Sequence, residues 1–310
     1  MQPTWLKRFT NYLLTHRIQA LAITFASAFI PILGLLSILI AGLMTLMRGG
    51  REGAIFTAAA TLPFFVGLFN PSFSYPLAYW ASVGVAVLSN VLTWVFAVLL
   101  YRKTSWAVII QVAALLGVLV ISVIHLIFPD ITTWWQTQLQ FYYEHSLAAG
   151  KLLNVPAVNS GENQLEVIQL TKQYASGLIA AAILFNAVLQ LIIARWWQFR
   201  ILKAHALYKE LHYIQLSKLA GILFIFSLWL AYLRNSVVLD IMPILYLLFT
   251  AAGLSLIHFL FGLMKSSTRW FWLCILYLTL LFTIPMSMML VSMLALFDSW
   301  FDIRKRVVKV

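Results

Sequence analysis

Ser105-Trp-Ala-Val-Ile-Ile-Gln-Val-Ala-Ala-Leu-Leu-Gly-Val-Leu-Val-Ile-Ser-Val-Ile-His-Leu-Ile127 contains no Asp, Glu, Lys or Arg. Arg102 and Lys103 precede it, and Pro129 and Asp130 follow it. A helix crosses the roughly 30 Å hydrocarbon core of a bilayer in about 20 apolar residues, and this stretch has that length. Four further stretches meet the same criterion: 79–101, 175–197, 239–264 and 270–298. Two more, 53–69 and 218–234, are shorter. Each is bounded by charges, Pro or Asn. An open sheet leaves backbone groups unsatisfied in lipid, so all seven read as helices. The fold class that follows is all-α: a polytopic transmembrane helix bundle of about eight or nine spans, forming one transmembrane domain over 1–310.

Composition agrees. Of 310 residues, 63% are hydrophobic and 10% charged, and the mean hydropathy is +0.92. Soluble domains carry about 25% charged residues, needed to face water. A net charge of +12 would otherwise suggest nucleic-acid binding. Here the cations sit at the ends of apolar segments, as Lys7, Arg8 and Arg17, Arg102 and Lys103, Arg195 and Arg200, and Arg304, Lys305 and Arg306. That placement suits cytoplasmic flanks beside anionic headgroups and excludes nucleic acid as the partner. No A-x-A-like site follows the first apolar stretch, so it reads as retained and not as a cleaved signal peptide. The single cysteine, Cys274, makes no intramolecular disulfide or zinc site and reads as a packing residue.

The segment 18–47 is long for one span, and Pro31 and Gly34 lie near its middle. Arg17 precedes it and Arg48 and Arg51 follow it. Two readings stay open: a broken helix that turns back and lines a cavity, or one long kinked helix. Residues 128–174 carry Asp130, Glu144, Glu162 and Glu166 against Lys151 and Lys172, whereas 195–218 is strongly basic. This contrast puts 128–174 outside and 195–218 in the cytoplasm. Trp134, Trp135, Phe141, Tyr142 and Tyr143 predict an interfacial helix over 131–152, with 153–174 as a loop on the outer side. Counted this way, seven spans after residue 52 leave the basic tail 304–309 outside. Either one segment does not cross, or Pro285 splits 270–298, or the tail departs from the rule.

The membrane interior is nearly free of charge. All nine acidic residues fall in loops or at span ends, which argues against a carboxylate-driven proton pathway. No His/Asp/Glu cluster has metal-ligand spacing, and no nucleophile motif or phosphate loop is present. Candidate polar ligand contacts are Asn186 and Gln190, four apart on one helix face, together with His258, Asn90 and Gln111. The amides serve equally well as bonds between helices. His125 lies near a membrane surface. Small residues at 175–182 and at Ala251, Ala252 and Gly253 predict close helix approach.

Three stretches carry a resemblance. They are Leu46-Met-Arg-Gly-Gly-Arg-Glu-Gly53 after the Pro31 region; Glu210-Leu-His-Tyr-Ile-Gln-Leu-Ser-Lys-Leu-Ala-Gly221; and Gly253-Leu-Ser-Leu-Ile-His258, followed by Asp298-Ser-Trp-Phe-Asp-Ile-Arg-Lys-Arg306. Together they resemble the YybS-like family of predicted bacterial membrane proteins, a domain of unknown function. That family is thought to be related to the substrate-binding membrane subunits of energy-coupling-factor transporters. The resemblance implies a helical bundle in the bacterial inner membrane with a small-molecule pocket towards the outer face, and it implies no particular binding residue.

Two functions are expected. The first is a membrane subunit that binds or transports a small molecule or lipid through Asn186, Gln190, His258, Asn90 and Gln111. The second is a non-enzymatic assembly protein that docks a membrane-protein partner on its basic face. Arg195, Arg200, Lys203, Arg304, Lys305 and Arg306 would then contact that partner or anionic lipid. Enzyme activity is not expected, because no general acid–base pair is visible. No cofactor or metal is expected.

Overall fold

The computed structural model describes residues 4–66, 76–152, 161–202, 207–264 and 266–308. Lys203 and residues 153–160 of the expected outer loop lie outside that set. The described residues form helices and no strand. In chain order these are α1 (Thr4–Thr15), α2 (Arg17–Ala28), α3 (Pro31–Arg48), α4 (Gly50–Val66), α5 (Pro76–Tyr101), α6 (Trp106–Ile127), α7 (Ile131–Leu152) and α8 (Gly161–Thr171). The second half holds α9 (Ala175–Leu202), α10 (Leu207–His212), α11 (Lys218–Tyr232), α12 (Ser236–Gly262), α13 (Ser266–Phe282), α14 (Ile284–Phe301) and α15 (Ile303–Val308).

Four helices are long and apolar enough to cross a membrane: Tyr79–Tyr101, Trp106–Ile127, Ala175–Leu202 and Ser236–Gly262. Leu33–Arg48, Lys218–Tyr232, Thr268–Phe282 and Met286–Phe301 are apolar but shorter. The outer face of α6 exposes Leu115, Leu119, Val120, Val123 and Leu126. A soluble chain does not leave a continuous apolar stripe uncovered.

The helices begin where local chemistry allows. Ser105, Ser217 and Asn235 adopt extended backbone ahead of α6, α11 and α12. Their side-chain oxygens accept from the amides of Val108, Ala220 and Val238, which satisfies first-turn donors that have no partner in the helix.

The 18–47 segment is broken. α2 stops at Ala28 and Pro31 opens α3, where its missing N–H costs nothing. The two pieces pack on each other and on α4, so the segment is broken and not a single helix. The expected role as a cavity wall is corrected, because, among the described residues, none of 18–47 lines the cavity described below. Pro285 likewise splits 270–298 into α13 and α14, meeting at Thr283. The expected 131–152 helix is α7. The expected loop over 153–174 is corrected: 161–171 is helical. Leu165-Glu-Val-Ile-Gln-Leu170 consists mostly of helix formers, and Ile168 is buried.

Packing centres on α3, α9 and α12. α3 is buried almost all round, from Ile38 through Met44, as a helix enclosed by neighbours must be. It packs on α2, α4, α5 and α9; α9 also packs on α6 and α12; α12 carries α6, α11 and α14. Small residues make these crossings, as expected. A Cβ on Gly177 would lie 1.6 Å from the Asp240 carbonyl oxygen, and one on Gly253 would lie 2.2 Å from that of Val291. Only glycine lets these backbones touch. Cys274 is exposed on α13, so it faces outward and is not a packing residue.

Candidate functional site

Two polar nodes mark the ends of the bundle. At one end, Asp240 is 2% exposed and His125 9%. The Asp240 Oδ1 accepts from the Gly177 backbone N–H at 2.7 Å, and its Oδ2 lies 3.0 Å from His125 Nε2. Gly177 lies in the first turn of α9, so Asp240 caps that helix from α12. The carboxylate sits at the positive end of the α9 dipole. Beside it, Trp135 of α7 donates to Ser176 Oγ at 2.8 Å.

At the other end, Arg195 donates to both Glu210 oxygens, at 2.7 and 3.3 Å, and to Gln198 Oε1 at 2.6 Å. Trp106 Nε1 donates to the same carboxylate at 3.0 Å. Gln198 continues to the Leu46 carbonyl at 2.8 Å. Nearby, Arg304 is 5% exposed. It pairs with Asp298 at 3.1 Å and donates to the carbonyls of His212 and of Ile214, the latter at 2.8 Å. Burial pulls the Arg304 guanidinium below its ordinary value, and Asp298 opposes this. Asp302 is held below the usual carboxylate range by hydrogen bonds from Lys305 and Gln215.

Trp106 and His125 both belong to α6, and at 1.5 Å per residue the nodes stand about 28 Å apart. That separation matches a hydrocarbon core of about 30 Å.

Between the nodes lies a cavity of about 1630 Å³, walled by α6, α9, α12 and α14 and closed at one end by α10 and α13. Its long walls are aliphatic and aromatic, among them Ala113, Ala181, Ala251 and Leu247. One side is open, because Leu178, Phe185, Leu189, Met286 and Met289 line it and are themselves exposed. Among the described residues, no Asp, Glu, Lys or Arg lines it.

Polar groups stand at both ends: Thr171, Tyr174 and Tyr246 towards the Asp240 node, and Tyr208, His212, Ser255, His258 and Tyr277 towards the Trp106 node. His258 Nδ1 lies 2.9 Å from the Leu254 carbonyl, so this nitrogen carries the proton. His258 Nε2 then accepts from Tyr277 Oη at 3.1 Å. The His212 ring lies 6.4 Å from that of His258 and stacks edge-on to Tyr208. No hydrogen bond reaches the His212 ring among the described residues. Burial lowers its pKa from the ordinary 6.5, helped by His258, Arg304 and Arg269.

Of the polar residues expected to bind a ligand, only His258 lines this cavity. Asn186 and Gln190 face α5: Gln190 donates to Asn186 Oδ1 at 3.2 Å and accepts from Thr93 Oγ1 at 2.7 Å. Asn90 donates to Thr61 across α4 and α5 at 3.3 Å. Gln111 donates to its own helix at Ala107 and accepts from Ser217. Gln190, Asn90 and Gln111 tie helices together, with Asn186 bonded to Gln190 on its own helix, a use that periodicity alone does not separate from lining a pocket.

The expected surface cations also divide. Arg195 and Arg304 are engaged inside the chain and are not a free docking surface. Arg200 is exposed and lies over the Trp196 ring. Lys305 pairs with Asp302, and Arg306 lies over Phe301.

Comparison of the chain with protein-family models, curated proteins and solved structures returns no match. The residues themselves therefore carry the functional reading.

Sequence reasoning passed over His125, Asp240, His212 and Tyr277. One signal for the first two was available. A helix ending at 127 and another beginning near 236 meet at one membrane level if alternate spans run antiparallel, which sets a histidine beside a carboxylate. No spacing rule points to His212 or Tyr277, because α10 and α13 reach the cavity only through tertiary packing. No group of three or more His, Cys, Asp or Glu able to hold a metal occurs among the described residues.

Proposed function

We propose that this chain is a multi-pass protein of a bacterial inner membrane that binds a small molecule or lipid in the cavity between α6, α9, α12 and α14. The single observation that carries the reading is the cavity itself: large, apolar along its walls, open at the side and provided with hydrogen-bonding groups at its ends. Ligand sites combine apolar walls with a few oriented polar groups in this way. The roughly 28 Å between the two polar nodes favours a transmembrane setting, with the four long helices and the shorter apolar ones packed beside them as spans. The 195–218 side then faces the cytoplasm by its excess of cations. The resemblance to the YybS-like family also implies a small-molecule pocket inside a helical bundle, there towards the outer face, whereas this cavity reaches the 195–218 side as well.

The alternative, an assembly protein docking on a basic face, has less support. Arg195 and Arg304 are both committed to carboxylates within the chain. His125 and Asp240 are buried at a helix junction and do not line the cavity.

The test is native mass spectrometry of the full chain released from mild detergent micelles. A bound organic species should accompany the parent protein. It should be lost from Ala251→Trp and Ala181→Trp, which fill the cavity, while both variants still elute as folded monodisperse particles. A parent protein that carries nothing, and takes up nothing from added membrane lipid extract, would refute the proposal.

A further inference from the structure

We infer that the occupant is an uncharged diacyl lipid, held by its hydroxyl head at either end of the cavity and by its chains along the apolar wall between. The inference rests on the membrane-cavity reading above and names the ligand class of that site.

The charge of the head follows from the lining. The hydrogen-bonding side chains there are hydroxyls, imidazoles and one indole. Several are engaged within the chain. Trp106 donates to Glu210, Ser255 to the Leu211 carbonyl and Tyr277 to His258, and Thr250 lies 3.1 Å from Ser292. Others make no hydrogen bond among the described residues. They are the hydroxyls of Thr171, Tyr174 and Tyr246 at the Asp240 end, and the Tyr208 hydroxyl and His212 ring at the Trp106 end. A hydroxyl donates and accepts, and a neutral imidazole does each once. These groups match a head that itself donates and accepts, such as the free hydroxyl and ester carbonyls of a diacylglycerol. The guanidiniums of the Trp106 end, Arg195 and Arg304, already bind Glu210 and Asp298. A charged head seated against this lining would give up water without an opposite charge in return, which is costly.

The chains follow from length and access. Tyr246 and His258 stand twelve residues apart on α12, or about 18 Å. Half of a bilayer core is about 15 Å, so an ordinary acyl chain with its head at one end reaches close to the other. The volume of about 1630 Å³ exceeds the roughly 300–1,000 Å³ of pockets for drug-sized ligands and leaves room for a second chain. The side opening runs from end to end. Leu178 is exposed beside Gly177, at the Asp240 end. Ser292 donates to the Tyr246 carbonyl and Thr250 to that of Met288, so α14 runs antiparallel to α12. Exposed Met286 therefore stands towards the Trp106 end. A lipid of either leaflet can enter sideways with its head at its own interface and its chains still in apolar surroundings.

The experiment uses the full chain in mild detergent micelles, with bound lipid counted by native mass spectrometry. The probes are dioleoylglycerol, dioleoyl phosphatidic acid, dioleoyl phosphatidylcholine and glycerol. The three lipids share their chains and differ in the head. Dioleoylglycerol should bind at least about ten-fold more tightly than either phospholipid, and glycerol should not displace it. This comparison needs no variant. Tyr174→Phe with Tyr246→Phe removes hydroxyls at one end and keeps the rings; Tyr208→Phe with His212→Phe removes the polar atoms at the other. Each pair disables one of two seats and should weaken dioleoylglycerol binding about two-fold, whereas all four changes together should weaken it at least about ten-fold. Equal or tighter binding of a phospholipid overturns the uncharged head and leaves the cavity reading in place. Displacement by glycerol overturns the lipid in favour of a small polar solute. Full loss from one pair and none from the other overturns the two seats, and undiminished binding by the folded four-fold variant overturns the polar ends as head sites. No uptake of any probe by a parent that carries another species overturns the lipid class alone; no uptake by an empty parent overturns both readings.

Discussion

Replacing Asp240 by alanine should be among the most damaging single changes in the bundle. Its carboxylate is buried and holds two donors from two other helices, the Gly177 amide and His125. Removing it leaves the first turn of α9 uncapped, a loss of about 1 kcal/mol. It also leaves a buried imidazole N–H without its acceptor, which costs about 1–3 kcal/mol. Hydrogen bonds between membrane helices average only about 0.6 kcal/mol each, so two ordinary ones would cost little more than about 1 kcal/mol. The two accounts differ enough to be separated. Asp240→Ala should lose about 2–4 kcal/mol, whereas Asp240→Asn should lose about 1 kcal/mol, because an amide oxygen still accepts from Gly177. The double-mutant cycle with His125→Ala should give a coupling of about 1–2 kcal/mol. Unfolding free energy by steric trapping in bicelles would measure all four proteins. Asp240→Ala within about 0.5 kcal/mol of the parent, or a coupling near zero, would refute the view that this node joins α6, α9 and α12.

Glycine positions offer a matched pair. Gly253→Ala places a methyl 2.2 Å from the Val291 carbonyl oxygen and should cost about 2 kcal/mol or more by the same assay; Gly84→Ala in α5 meets nothing within 4 Å and should be neutral or stabilising by up to about 1 kcal/mol. For pH, His212 sits below its ordinary 6.5 because of burial first and then His258, Arg304 and Arg269, so the unfolded chain takes up that proton before the folded one does. Its contribution to stability is therefore full above pH 6.5 and declines as the pH falls below that value towards the lowered one. Melting temperature against pH should show this decline in the parent and a shallower one in His212→Gln.

The sequence by itself determined the solvent. Runs such as 105–127, with no ionisable side chain but one histidine, cannot cover themselves with water-facing groups, so the class and the positions of the long helices follow from composition and period. The breaks at Pro31 and Pro285 were legible as breaks, because proline cannot continue the hydrogen-bond ladder; whether the pieces fold back depends on contacts that proline does not specify. The polar residues were legible only as a set. Asn186 and Gln190 share a face whose destination is Thr93, and His258 bonds to its own helix at Leu254 and to Tyr277 of another. Which face meets a neighbouring helix and which meets a cavity is decided by helix rotation and crossing, and those are set by close contacts such as Gly177 on Asp240 and Gly253 on Val291. The same holds for charge. Asp240 and Arg304 read as ordinary span-end charges, yet tertiary packing buries both and turns them inward, because a buried carboxylate or guanidinium is tolerated only where another chain segment supplies its partner.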